Sequence, residues 1–190
     1  MELKRERDTR PRLVLLDANI IIEAHALGIW QNLVKNVDIS VPSTIARKEA
    51  KFFFSRREGR IIIDLSSDVE QGLISELSAS AEEMERMLNR FTQDFVDSID
   101  AGEAEALALL LSNKAKDHVF CTGDRLTIQA LSMLDMKDRG ISMERLLRSV
   151  GIIKKLKKHY TESFFKDALE KGSVSMIQSK GLVRDRKKKK

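Results

Sequence analysis

Residues Leu13 to Ile22 read LVLLDANIII, which sets a single carboxylate inside the most apolar stretch of the chain. A run this continuous has the character of a strand covered on both faces, as in a parallel sheet. Burying an isolated charge costs far more than folding can offset, so Asp17 has to be hydrogen-bonded, paired or bound to a metal. Residues elsewhere in the chain must supply what it lacks.

The pattern downstream alternates. A helix follows LVLLD. A second strand, VDISV (37–41), precedes Pro42, and Ser43 or Thr44 is placed to cap a helix over TIARKEAKFFF. RREG turns the chain into a third strand candidate, IIIDL (61–65), where Asp64 has the place of a strand-end residue. Apolar positions between 68 and 98 recur at helical spacing and predict one long helix or a pair. The helix DAGEAEALALL comes next, then the strand HVFCTGD (118–124), the helix LTIQALSML, a short GIS strand and the helix MERLLRSV. Beyond Gly151 the sequence predicts a last amphipathic helix or helix pair. Strands alternating with helices give an α/β sandwich around a mainly parallel sheet. The expected organisation is a charged leader (1–12), one domain (13–151), a helical extension (152–183) and a basic tail (184–190).

Two of the strands, LVLLD and VFCTGD, end in an aspartate. In open parallel sheets the carboxyl ends of the strands line the ligand crevice, so Asp17 and Asp124 should face it together if the strands are neighbours. Glu103, in the first turn of DAGEAEALAL, and Glu49, one turn past Ile45, are expected beside the same edge. Four acids without matching cations would repel one another and hold their protons more tightly, unless a divalent cation joins them. Oxygen ligands with no cysteine or paired histidine select Mg²⁺ or Mn²⁺ over zinc, and such ions serve phosphodiester hydrolysis. Each acid also has a structural reading. Asp17 and Asp124 could cap helices or turns, Asp100 and Glu103 have capping-box spacing, and Glu49 could pair with Arg47 or Lys48. Glu105 is expected to face solvent.

Three segments, LLDANIII, DAGEAEALAL and FCTGDRLTIQAL, resemble in order and spacing the signature segments of the PIN domain family, metal-dependent nucleases that include the VapC-type toxins. The similarity spans about residues 13 to 150. It implies a three-layer α/β/α sandwich around a twisted, mainly parallel sheet, an acid cluster binding Mg²⁺ or Mn²⁺, and cleavage of single-stranded RNA. Carried over by position, it implies catalytic and metal-binding roles for Asp17, Glu103, Asp124 and Glu49, with Asn19 and Thr122 orienting the acids or a metal-bound water. A homodimer and a protein antitoxin are the partners that go with the toxin role. Residues 52–98 and the extension after Gly151 exceed what a compact toxin needs.

The net charge of +5 is local. Residues 184–190, RDRKKKK, carry six cations and one acid, which leaves residues 1–183 neutral. That tail and the lysines at 154, 155, 157 and 158 read either as solvated runs or as polyanion contacts. Arg125, Lys154 and Lys155 are the candidates for steering a phosphate backbone. The triplet Phe52, Phe53 and Phe54 beside Arg56 and Arg57 reads first as core or a dimer contact and second as a platform for bases. The single cysteine, Cys121, is expected in the core. His25, His118 and His159 lack metal-ligand spacing.

With no signal-like apolar region in MELKRERDTRPR and no membrane-length apolar run, the expected setting is the cytoplasm, away from membranes. No GxSxG, Walker-type or dinucleotide glycine pattern is present. A phosphatase loop would need a second aspartate where Asn19 stands. The competing reading from another class is a non-catalytic PIN-like module that binds RNA or a protein.

Overall fold

A computed structural model describes residues 13–55 and 57–183; the expectations for the leader 1–12, for Arg56 and for the tail 184–190 lie outside the described residues. The strands in chain order are β1 (Leu13–Leu16), β2 (Asp38–Pro42), β3 (Phe52–Ser55), β4 (Gly59–Ile62), β5 (Ile74–Leu77), β6 (His118–Cys121) and β7 (Gly140–Ile141). Five of them form one parallel sheet in the order β5-β2-β1-β6-β7, while β3 and β4 make a separate antiparallel hairpin.

LVLLD behaves as its composition requires. Val14, Leu15 and Leu16 are all fully buried, with Val14 and Leu16 packed in the core on one side of the sheet and Leu15 in the core on the other. A side-chain period of two sends neighbours to opposite faces, so a strand that is apolar at every position needs a cover on both. Those covers are helical. On the Val14 side lie α1 (Ala18–Ala26), α2 (Trp30–Asn36), the π-helical turn Ile45–Glu49 and α3 (Leu65–Glu70). On the Leu15 side lie α4 (Ala81–Leu88), α5 (Gln93–Val96), α6 (Ala101–Leu111) and α7 (Arg125–Met133). The helix α8 (Met143–Ser149) joins the first group and α9 (Glu162–Ile177) the second. The result is a three-layer α/β/α sandwich, as expected.

Three local expectations fail for identifiable reasons. The helix expected over 44–54 shrinks to the turn Ile45–Glu49, because the three phenylalanines suit an extended strand and enter β3 instead. IIIDL does not join the main sheet: Ile61 and Ile62 pair with Phe53 and Phe52 in the hairpin, and Asp64 caps α3 by accepting a hydrogen bond from the Ser67 N–H. The helical span expected over 68–98 is broken early. Gly72, at φ +70°, closes α3 with a Schellman pair, Leu73 N–H to Asp68 O and Gly72 N–H to Val69 O, and releases the chain into edge strand β5. A left-handed residue that only glycine adopts cheaply stops a helix that apolar spacing alone would continue.

The C-terminal extension packs α9 on α7, with Phe165 and Ala168 inside the Leu15-side core. Gly172 makes the close approach possible, since a side chain there would run into the Gln129 backbone. Among the described residues no helix is long and apolar enough to cross a membrane.

Candidate functional site

The chain builds the sheet outward from β1 through β2 to β5, then returns to add β6 and β7 on the other side. The direction of winding reverses between β1 and β6, and ligands of open α/β sheets bind at the carboxyl ends of such a strand pair. Asp17 follows β1 and Asp124 follows β6 by three residues. The two strand ends are tied together, because the Asp17 N–H donates to the Cys121 carbonyl at 3.1 Å.

Asp17 sits at the N-cap position of α1, yet its side chain does not cap the helix. It is 1% exposed. Its Oδ2 accepts from the Thr122 hydroxyl at 2.9 Å, and the same hydroxyl oxygen accepts from the Asp124 N–H at 3.1 Å, so Thr122 links the two aspartates. Burial pushes the Asp17 carboxyl up to about 7 even though Thr122 and the Ala18 N–H favour its charged form; Asp124 and Glu49 push it further. Asp124 does cap its helix: Oδ1 accepts from the Thr127 N–H at 2.8 Å, leaving its second oxygen uncommitted to that bond.

Glu103 enters from α6, in the opposite helical layer from α1. It is 4% exposed, its Oε2 takes only a long 3.4 Å bond from the Asp100 N–H, and it is pushed up to about 8 by burial, then by Asp17 and Asp124. The Thr127 hydroxyl neighbours it without a hydrogen bond of normal geometry to any partner. Glu49 reaches α6 from the π-helical turn and accepts from the Gly102 N–H at 2.9 Å; burial also raises its pKa, with Asp100 and Glu105 adding to the push. Gly102 is required for that approach, because a Cβ there would collide with the Glu49 carboxylate and with Ile45.

Asp17 feels the charges of Asp124 and Glu49, Glu103 those of Asp17 and Asp124, and among the described residues no lysine or arginine ion-pairs with any of the four. An all-oxygen, uncompensated acid set suits a hard cation. No three Asp, Glu, His or Cys side chains of the described residues come together as a ready cage for one ion. A hydrated ion fits better, since Mg²⁺ commonly keeps several waters and takes one or two carboxylates. Asp17 with Glu103 or Asp124 would be the residues holding it.

The remaining expected site residues separate. Asn19 is exposed at its side chain, and it is its backbone carbonyl that is engaged, by the Tyr160 hydroxyl at 3.2 Å. Arg125 points away from the crevice: it pairs with Asp167 at 2.8 Å and lies over the Phe164 ring, clamping α7 to α9. Lys154 and Lys155 are exposed on an extended segment before α9 rather than on a helix. That segment is anchored beside the crevice by Tyr160, whose ring covers Gly123 so closely that a Cβ would lie 2.7 Å from it, and by Lys157 pairing with Glu23 at 2.5 Å. Tyr160 and Gly123 are the wall that reading the sequence missed; the lone tyrosine of the extension was the available signal. Glu105 corrects its expectation: it is buried, accepting from the Ser43 hydroxyl, the Thr44 N–H and the Ala79 N–H. Cys121 is buried in the core as expected.

No family model, characterised protein or solved structure compared with the chain matches it.

Proposed function

We propose that the chain is a metal-dependent endoribonuclease of PIN type, cutting phosphodiester bonds of single-stranded RNA in the crevice between β1 and β6. The observation that carries this reading is the group of acids at the strand-order reversal, Asp17 and Glu103 buried among them, with no lysine or arginine of the described residues ion-paired to them. Mg²⁺ or Mn²⁺, when bound, would orient water, polarise the phosphorus centre and steady the leaving oxygen. Asp17 and Glu103 contribute the charge that attracts such an ion, and Thr122 fixes the direction of the Asp17 carboxylate while holding the Asp124 backbone. Asp124 keeps one oxygen on its helix cap, which leaves the other to take part in holding the ion. Glu49 adds negative charge from the Ile45–Glu49 turn, on the same side of the sheet as α1. Tyr160 and the segment before α9 wall the site, and Lys154 and Lys155 draw the phosphate backbone toward an otherwise acidic opening. A cytoplasmic setting and a toxin role with an antitoxin partner and a homodimer belong to the same proposal.

The lack of a ready three-acid cage among the described residues favours one competitor, a PIN-like module that binds RNA or a protein without cutting. A cleavage assay on single-stranded RNA with Mg²⁺, Mn²⁺ or chelator, run beside Asp17→Asn, separates them. Metal-dependent cleavage by the natural chain that falls by roughly 10²-fold or more in the folded variant supports the nuclease. Binding without cleavage under every metal supports the module.

A further inference from the structure

The hairpin that stands outside the main sheet has two unlike faces. Phe53 and Ile61 form the inner pair, and Phe53 stacks on His25 of α1 with ring centroids 6.0 Å apart. Phe52 pairs with Ile62 and Phe54 with Arg60, so these four share the outer face. Phe54 is 72% exposed and Ile62 78% exposed. The Phe52 and Phe54 rings meet edge to face at 5.5 Å, and the Arg60 guanidinium lies 4.0 Å over the Phe52 ring. Folding leaves a large apolar surface in water here, where a strand of this length would ordinarily place polar residues outward.

We propose that this outer face is a stacking platform for bases of single-stranded RNA. Unpaired bases stack on aromatic rings and arginine planes, and positive charge alongside follows the backbone. The hairpin supplies both: from Lys51 to Arg60 the sequence carries four cations against one acid, a net +3 set against −3 in the remainder of residues 1–183. A second copy of the chain is the weaker occupant. Three apolar side chains bury roughly 500 Å² at most, against about 800 Å² per partner in a stable interface, and two such cationic faces would repel. Position also fits. Phe54 lies five residues after Glu49, within about 18 Å along the chain, and the Lys51 N–H bonds the Glu49 carbonyl, joining the hairpin's base to the crevice rim. The inference rests on the crevice being a ribonuclease site and adds where the strand leaving that site is gripped.

The test measures binding in chelator, where nothing is cut, by fluorescence anisotropy of labelled oligoadenylate and of an abasic oligomer of equal charge. Phe54→Ala should weaken oligoadenylate binding roughly 5- to 100-fold and leave the abasic oligomer unchanged. Phe54→Trp should retain binding and show quenched fluorescence on adding oligoadenylate, and Phe54→Leu should behave as the alanine variant. Because Phe54 is exposed, thermal unfolding of all three should match the natural chain. Equal oligoadenylate affinity in Phe54→Ala, or in Phe54→Leu and Phe54→Trp, overturns the platform. So does light scattering that finds a dimer dissolved by Phe54→Ala with RNA affinity intact, which assigns the face to a second copy. Failure to cleave RNA under any metal removes the crevice reading while these binding results still decide the platform. Cleavage whose KM ignores Phe54→Ala removes the platform alone.

Discussion

Glu103 and Glu105 stand two residues apart on the same helix and are each 4% exposed, yet burial has opposite outcomes for them. At 3.6 residues per turn they point to opposite sides of α6. Glu105 meets three donors, the Ser43 hydroxyl at 2.7 Å, the Thr44 N–H at 2.7 Å and the Ala79 N–H at 3.1 Å, and these hold its carboxyl below the usual range despite desolvation. Glu103 has only the long bond from the Asp100 N–H, and burial first, then the charges of Asp17 and Asp124, push it up to about 8. Burial alone therefore does not identify an acid that works. A carboxylate surrounded by donors is a fastener, whereas one buried among its own kind tends to keep its proton, and an incoming cation can take that proton's place.

The widest separation between them should appear in activity. Glu103→Gln should lower metal-dependent RNA cleavage by roughly 10² to 10⁴-fold with the fold retained. Glu105→Ala should do the reverse, costing about 2–4 kcal/mol of stability by leaving buried donors unpaired, with kcat close to normal at temperatures where the variant is folded. Cleavage kinetics and thermal unfolding of both variants check this. An activity loss in Glu105→Ala beyond its unfolded fraction would end the distinction.

The same contrast predicts opposite limbs of a pH profile. Asp17 and Glu103 bind their protons more tightly folded than unfolded, so without metal the folded state is favoured while both are protonated. That stability is lost as pH rises from about 4 toward about 8. Glu105, with its lowered pKa, contributes stability at higher pH that disappears on acidification through its folded pKa. Melting temperature in chelator should therefore peak in the mildly acidic range and decline toward pH 8, with the decline reduced in Asp17→Asn. At pH 8, Mn²⁺ or Mg²⁺ at about a hundredfold excess over its Kd should return about 2.7 kcal/mol, roughly 5–10 °C for a chain of this size, and the variant should not respond. A flat alkaline limb, or an equal metal response in Asp17→Asn, would break the account.

How much of this could be read beforehand follows from the range of the interactions involved. LVLLD and HVFCTGD were legible because a strand buried on both faces leaves its mark at every residue, and an aspartate at such a strand's end has few places to go. The sandwich followed from the alternation of elements. The hairpin and β5 were not legible, since FFF and LISEL fit helical spacing as well as an extended one, and Gly72 decides the matter through a backbone angle that composition does not record. Glu105 was misread because its three donors come from positions 43, 44 and 79, which only the fold brings to it. Arg125 looked free because Asp167 lies 42 residues away.

Glu49 falls between the two kinds of acid, and the smallest predicted effect concerns it. Like Glu105 it accepts a backbone N–H, from Gly102 at 2.9 Å, and like Glu103 its pKa is raised by burial. Gly102→Ala addresses it without touching any carboxylate. The new Cβ meets the Glu49 side chain and the fully buried Ile45, so one of them must shift, and the carboxylate is the freer. Overpacking costs about 1–3 kcal/mol, offset by up to about 1 kcal/mol from alanine's better helix propensity, so unfolding should move by only a few degrees. If Glu49 belongs with the working acids, Gly102→Ala should lower cleavage by about tenfold, the scale of a disturbed supporting contact. Combining it with Glu49→Gln should then add nothing, because both changes remove the same carboxylate from the crevice. Additive losses would mean that Gly102→Ala acts through Ile45 and the packing of α6, and Glu49 would join Glu105 among the fasteners.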